Sequence, residues 1–202
     1  AIAIRKAYEG GNFDTLNKKD NEVTQMLQLL EKAGVIYKKL ERNLSTLNFS
    51  IRWYGNKIAQ IDESLSKFAS QRKGLILVEK EEDIIVILRS SCTYKEMLKD
   101  YAMIKTPHIF FDIAFDHTIS VGPIVFPGNT ACLGCYLGRI THNWGDAEPP
   151  SQPNASRSFQ LVASLILEQL IKFQNNGSCP ELIEKVVTFN LNELSIKADW
   201  LF

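Results

Sequence analysis

The chain has 202 residues, 45% of them hydrophobic and 23% charged, and its 23 basic and 23 acidic residues cancel. That length buries an ordinary core in one domain or two small ones. The balanced charge argues against a non-specific nucleic-acid binder, which needs a basic excess to neutralise phosphates, and no apolar run approaches the roughly 18 residues of a membrane span.

Residues 1–47 read as helical. "AIAIRKAYEGG" closes on a double glycine, "FDTLNKK" is a short segment, and Asp20 is placed to cap "NEVTQMLQLLEKAG". In that third helix Val23, Met26, Leu27 and Leu30 share one face. Three short helices followed by "VIYKK" have the pattern of a winged-helix or helix-turn-helix unit. With no excess of positive charge, such a shape suits a peptide or protein partner better than DNA.

From residue 48 to 202 the pattern predicts an α/β domain. "FSIRWYG" is a strand ending at Gly55, and "NKIAQIDESLSKF" is a helix with Ile58, Ile61, Leu65 and Phe68 on its inner face. "GLILV" and "DIIVILR" are continuous apolar runs, expected for strands covered on both faces. "TYKEMLKDYAMIK" is helical, with Met97, Leu98 and Tyr101 inward. "PHIFFDIAF" and "TISVGPIVF" are strands joined tightly at Asp116-His117. A polar, proline-rich loop beginning near His142 leads to the helix "SRSFQLVASLILEQLIKFQ", and "KVVTFNLNEL" is the last strand expected.

Two places carry chemical information. The turn "YGNKIAQ" occupies the position of a glycine-rich dinucleotide loop, whose glycines let backbone amides approach a pyrophosphate. Only Gly55 is present; Lys57 and Gln60 stand where the other glycines belong, so no nucleotide is expected on this chain. Lys57 reads as a solvated residue at a helix start.

The second place is "VGPIVFPGNTACLGCYLGR". Cys132 and Cys135 form a C-x-x-C pair of the kind that supplies two thiolates to tetrahedral Zn²⁺, a structural site then wanting two more donors. Inert thiols and redox chemistry are the other readings; the pair lies late in the chain, which fits a thioredoxin-like arrangement poorly. Cys92, Cys179 and His142 are the candidates for completing a site within the chain, with Cys92 also readable as a core residue. Four irregularly spaced cysteines point to a reducing, cytoplasmic setting. His108, His117 and His142 have no nucleophile beside them in sequence, and Arg139 reads as a surface ion pair or a cover for the knuckle.

The segment "VGPIVFPGNTACLGCYLGR" resembles the corresponding segment of the ThiF/E1-like partner proteins of azoline-forming cyclodehydratases, from thiazole/oxazole-modified peptide (bacteriocin) pathways. The order of features, from "LLEKAGVIY" through "DIIVIL" to the long helix and closing strand, agrees over most of the chain. The resemblance implies a winged-helix unit that holds the leader of a ribosomal precursor peptide, here through Val23, Gln25, Met26 and Leu29. It implies a degenerate Rossmann-like E1 domain without ATP, which presents the peptide to an ATP-dependent YcaO-type partner and activates it. A flavin-dependent dehydrogenase and self-association belong to the same expectation. It also implies that Cys132 and Cys135 are half of a Cys₄ zinc site, whose other pair would follow the final strand, beyond Phe202. An E1-like enzyme that adenylates a peptide carboxylate, and a winged-helix regulator, are the competing functions.

Overall fold

The structure, a computed structural model, describes residues 25, 26, 29, 30, 44–101, 103–115, 117–150 and 157–200. The chain divides into two units, Ala1–Lys39 and Leu40–Phe202. In the first, Gln25, Met26, Leu29 and Leu30 are helical; the rest of the expected winged-helix unit, with Val23, lies outside the described residues.

The second unit is built on seven strands: β1 (Leu47–Tyr54), β2 (Leu75–Leu77), β3 (Ile84–Arg89), β4 (His108–Asp112), β5 (Thr118–Val125), β6 (Lys185–Asn190) and β7 (Ser195–Trp200). Their order in one sheet is β2-β1-β3-β4-β5-β6-β7. The first four are parallel, and β5, β6 and β7 each run antiparallel to their predecessor. Four helices complete the unit: α1 (Ala59–Gln71), α2 (Tyr94–Tyr101), α3 (Leu133–Trp144) and α4 (Phe159–Asn176). This is a mixed α/β architecture of the Rossmann-like kind.

Every residue of β3 is buried, because alternate side chains enter two different cores. Ile84, Val86 and Leu88 join Ile61, Leu65, Val162, Ile166 and Leu170 on the face covered by α1 and α4. Ile85 and Ile87 join Met97, Tyr101, Leu133 and Leu137 on the face covered by α2 and α3. The continuous apolar run is the signature of that two-sided burial. For β2 the same signature misleads: it is a three-residue edge strand, and Ile76 and Leu77 are exposed.

Three further differences from the sequence reading matter for the site. Residues 133–144, given no element as far as residue 141 and read as loop from His142, are helix α3. A seventh strand, β7, follows the one expected to be last. The connection of β4 to β5 is short as expected, although Asp116 lies outside the described residues.

Candidate functional site

The strands following β1 lie on opposite sides of it, β2 on one flank and β3 on the other. In open α/β sheets, a crevice forms where the strand order diverges, outside the carboxyl ends of the strands. Here that place is bounded by the turns after β1 and β3, and a cavity of about 360 Å³ lies beside them, lined in part by Arg52, Tyr54, Gly55, Cys92, Met97 and Asp100.

The turns themselves are laced together. The Asn56 amide donates to the Ser91 hydroxyl at 2.7 Å, and the Ser90 hydroxyl donates to the Asn56 carbonyl. The Ser90 amide donates to the Tyr54 carbonyl at 2.9 Å. Gly55 adopts φ +96°, and a Cβ added there would sit 2.5 Å from the Ser91 amide nitrogen; its glycine is required by contact with the protein's own backbone. Lys57 forms an ion pair with Asp62 at 2.6 Å, and Asp62 also accepts from the Trp53 indole at 3.0 Å. That pairing raises the Lys57 pKa. The lysine is therefore not simply solvated, although its side chain remains 63% exposed.

Behind this turn lies a charged cluster that sequence reasoning missed. Arg89 and Asp112 are register partners at the ends of β3 and β4. The Arg89 guanidinium donates to both Asp112 oxygens, at 3.0 and 2.8 Å, and its Nε donates to the Cys92 carbonyl at 2.8 Å. Tyr94 adds a hydroxyl to Asp112 at 2.8 Å and its ring packs 3.8 Å from the guanidinium. Arg89 is fully buried, and its Nη2 has no hydrogen-bond partner. Burial first, then the Asp112 charge, raises the Tyr94 pKa, so Tyr94 serves as a donor. A buried pair with satisfied acceptors of this kind is costly to break from one side.

The cysteine pair is built differently. After β5, the Thr130 hydroxyl accepts from the Phe126 amide at 2.9 Å, and the Asn129 and Thr130 amides donate back to the Phe126 carbonyl at 2.9 and 3.1 Å. This turn delivers Cys132 to the N-cap of α3, with Cys135 in the first helical turn. Both cysteines are exposed, with Sγ–Sγ 3.4 Å, and this contact, followed by burial, raises the Cys135 pKa. Two accessible thiols at this separation match one edge of a tetrahedral zinc site. A C-x-x-C at a helix N-terminus is also the thioredoxin arrangement, but the strand that precedes this one is the fifth in the chain.

Support for that helix start comes from beneath. The Leu133 amide, the first of α3, donates to the Tyr101 hydroxyl at 2.8 Å. Tyr101 contacts His108 Nε2 at 2.9 Å, and His108 Nδ1 contacts the Thr106 carbonyl at 2.9 Å. The carbonyl accepts only, so Nδ1 carries the hydrogen, Nε2 is bare, and Tyr101 donates to it. Burial pushes the Tyr101 pKa up to about 12 and, as the largest cause, pulls that of His108 down. Both shifts favour the neutral forms this relay uses. The Leu133 side chain, 0% exposed, anchors the same turn in the core.

The other expected donors are not gathered here. Cys179 is buried, its thiol donating to the Gln169 carbonyl at 3.3 Å, and burial lifts its pKa to about 12. Cys92 is half-buried and raised by burial. No group of three or more His, Cys, Asp or Glu side chains able to hold a metal exists among the described residues. Arg139, on α3, donates to the Trp200 carbonyl at 3.5 Å. Gln25, Met26 and Leu29 are exposed on their helix.

No protein-family profile matches this chain, and no curated protein does. Solved structures do. Its fold is similar to that of heterocyclase and microcin synthetase chains. A heterocyclase in complex with substrate and cofactor matches 94% of this chain with a TM-score of 0.59 and 15% identity. The heterocyclase TruD matches 98% with a TM-score of 0.57 and 16% identity. A chain of the E. coli microcin synthetase McbBCD complex matches 89% with a TM-score of 0.55 and 11% identity, over 74% of its own length. This chain spans about a third, 32%, of each of the two heterocyclases. The likeness is one of fold, extends over nearly the whole of this chain, and agrees with the resemblance to cyclodehydratase partner proteins that the knuckle segment suggested. No helix among the described residues is long and apolar enough to cross a membrane.

Proposed function

We propose that this chain is the non-catalytic E1-like component of an azoline-forming cyclodehydratase, which recruits a ribosomal precursor peptide and activates a YcaO-type, ATP-dependent partner. The observation that carries the reading is the laced turn after β1, set in a fold similar to that of heterocyclase chains. The amide of Asn56 lies where a nucleotide loop offers donors to phosphate, and Ser91 already accepts from it. In this reading the sheet is a scaffold, and the reaction's ATP is held elsewhere.

Met26 and Leu29, 51% and 66% exposed, together with Gln25 and Val23, are the proposed contacts for the leader peptide. Exposed apolar side chains three apart on a helix suit an extended or helical peptide. A solved microcin synthetase complex carries pro-MccB17, and another similar structure pairs MccB with MccA, which supports a peptide partner here.

Cys132 and Cys135 would hold zinc, whose role is a structural cross-link. The chain's own part is to present both thiols from a turn fixed by Thr130, Leu133 and Tyr101. The other two ligands are proposed to follow β7. Arg139, one helical turn beyond Cys135, holds the Trp200 carbonyl, so the strand end lies beside the knuckle helix.

The test is a titration of the intact protein with a labelled leader peptide, with and without the YcaO-type partner. We expect saturable binding, weakened at least tenfold by Met26→Asp with Leu29→Asp. ATP–pyrophosphate exchange by this protein alone would instead establish the adenylating alternative. Zinc bound by the wild type and lost from Cys132→Ser would complete the assignment.

A further inference from the structure

Between β1 and α2 the two walls of one cavity carry opposite charge. The cavity of about 360 Å³ beside the turns after β1 and β3 is lined on the strand side by Arg52 and Tyr54. On the helix side it is lined by Glu96, Met97 and Asp100, with Cys92 just ahead of the helix. Alternate residues of a strand share a face, so Arg52 and Tyr54 look the same way. Glu96 and Asp100, four residues apart on α2, also share a face, and like charges at that spacing repel. Bonds from the Thr93 amide and hydroxyl, at 2.9 and 3.1 Å, hold Glu96 ionised and both reach Oε2, so Oε1 is left to a ligand. Among the described residues no ion pair joins Arg52 to either carboxylate. The helix wall is short of a cation, and the strand wall of an anion.

A second observation belongs to the same space. Tyr54 is nine-tenths buried, and its hydroxyl is closed to solvent without a hydrogen-bond partner. Such a group is uncommon and costs stability. Burial, the largest cause, raises its pKa; Arg52 opposes this, while Asp100 and Cys92 add to it. All three lie within electrostatic reach of one phenol, which stays protonated and has a hydrogen to donate.

We propose that this cavity binds a free α-amino acid with an apolar side chain. This goes beyond the functional reading above and stands without it. The ligand's carboxylate lies between the Arg52 guanidinium and the Tyr54 hydroxyl, which gains the acceptor it lacks. Its ammonium lies against Glu96 and Asp100. Its side chain meets Met97 and the Cys92 thiol, the soft, apolar part of the lining. A ligand with a single charge would leave the opposite wall unanswered, and a nucleotide would bring phosphates against two carboxylates. The volume falls within the range of about 300–1,000 Å³ usual for small-molecule sites. With so few atoms in contact, the dissociation constant is on the order of 0.1 mM.

The experiment is calorimetric titration of the intact protein with L-leucine and L-methionine. N-acetyl-L-leucine and L-leucinamide, which lack the ammonium and the carboxylate in turn, are the comparisons. Alkylation of Cys92, followed by peptide mapping, locates the site. At least one free amino acid is expected to bind saturably and to slow Cys92 alkylation roughly tenfold at saturation, with each blocked form at least tenfold weaker. Arg52→Gln, and Glu96→Gln with Asp100→Asn, should each weaken binding at least tenfold. Tyr54→Phe should weaken it too, without lowering the urea midpoint of the free protein, because it removes a hydroxyl that has no partner there. A merely structural tyrosine would do the reverse. Binding of neither amino acid would overturn the proposal. So would equal binding of a blocked form, which would make the cavity a seat for a peptide terminus, or binding that leaves Cys92 as reactive as before. Protection of Cys92 by ATP instead would overturn this proposal and the functional reading together; the other failures leave that reading standing.

Discussion

Two helix starts in this protein meet the same problem with opposite results. α1 follows β1 at the point where the sheet's strand order diverges, and α3 follows β5 beyond a proline-glycine turn. Both expose backbone amides at a helix N-terminus. Ahead of the first, Ser90 and Ser91 bond the Asn56 carbonyl and amide, and Gly55 is pressed against the Ser91 backbone. At the second, Tyr101 takes the first helical amide from below and leaves both thiols at the surface. Short hydroxyl side chains can thus occupy a turn without disturbing the sheet. A site kept available needs its support from behind.

The largest effect that would sharpen this contrast is expected at the cluster behind the first turn. Asp112→Ala strands the buried Arg89 guanidinium and removes the acceptor of Tyr94. Losing one partner of a buried pair costs about 3–5 kcal/mol, measurable as a lower urea midpoint. Because the cluster braces the β3 and β4 ends, alkylation of Cys132 and Cys135 in the folded protein should change little. A small loss of stability would show that Arg89, with its rings of Tyr94 and Phe115, tolerates standing alone.

Much of the frame was legible before the structure, and the misses have local causes. β3 and β4 announce themselves by unbroken apolar runs. β2 carries a similar run, Leu75–Leu77, and still lies at an edge; centre and edge are decided by which strands arrive later. α3 was hidden because Gly134 and Gly138 depress helix propensity and Cys132 makes no side-chain cap. Burial of Leu133 and Leu137 and the Tyr101 bond supply what its sequence lacks. Arg89 and Asp112 are 23 residues apart and meet only through strand register. Cys132 and Cys135 were visible at once because their spacing is itself the signal, whereas Cys179 is distinguished only by its burial.

A smaller effect should come from the second helix start. Tyr101→Phe leaves the Leu133 amide and His108 Nε2 buried without partners, at a cost of about 1–3 kcal/mol. The signature is local: the Leu133 amide should lose hydrogen-exchange protection and the two cysteines should be alkylated faster, while exchange at Asn56 stays as in the wild type. Equal loosening at both turns would mean that they are one cooperative unit, and the contrast drawn between them would collapse.

The smallest effect is on pH dependence, and it again separates the two places. Burial, the first cause, and the Arg52 charge hold the His108 pKa below the ordinary histidine value of about 6.5, against an opposing hydrogen bond to the Thr106 carbonyl. The unfolded chain therefore binds more protons at this residue below that value. Its contribution to stability is complete above pH ~6.5 and is lost as the pH falls toward the folded pKa. Protonation also removes the acceptor that orients Tyr101, so acid acts on the knuckle turn and not on the serines after β3. Urea midpoints measured between pH 7.5 and 5.5, for the wild type and His108→Gln, give the comparison. The wild type should lose more stability than the variant over that interval, and identical slopes would remove His108 from the relay.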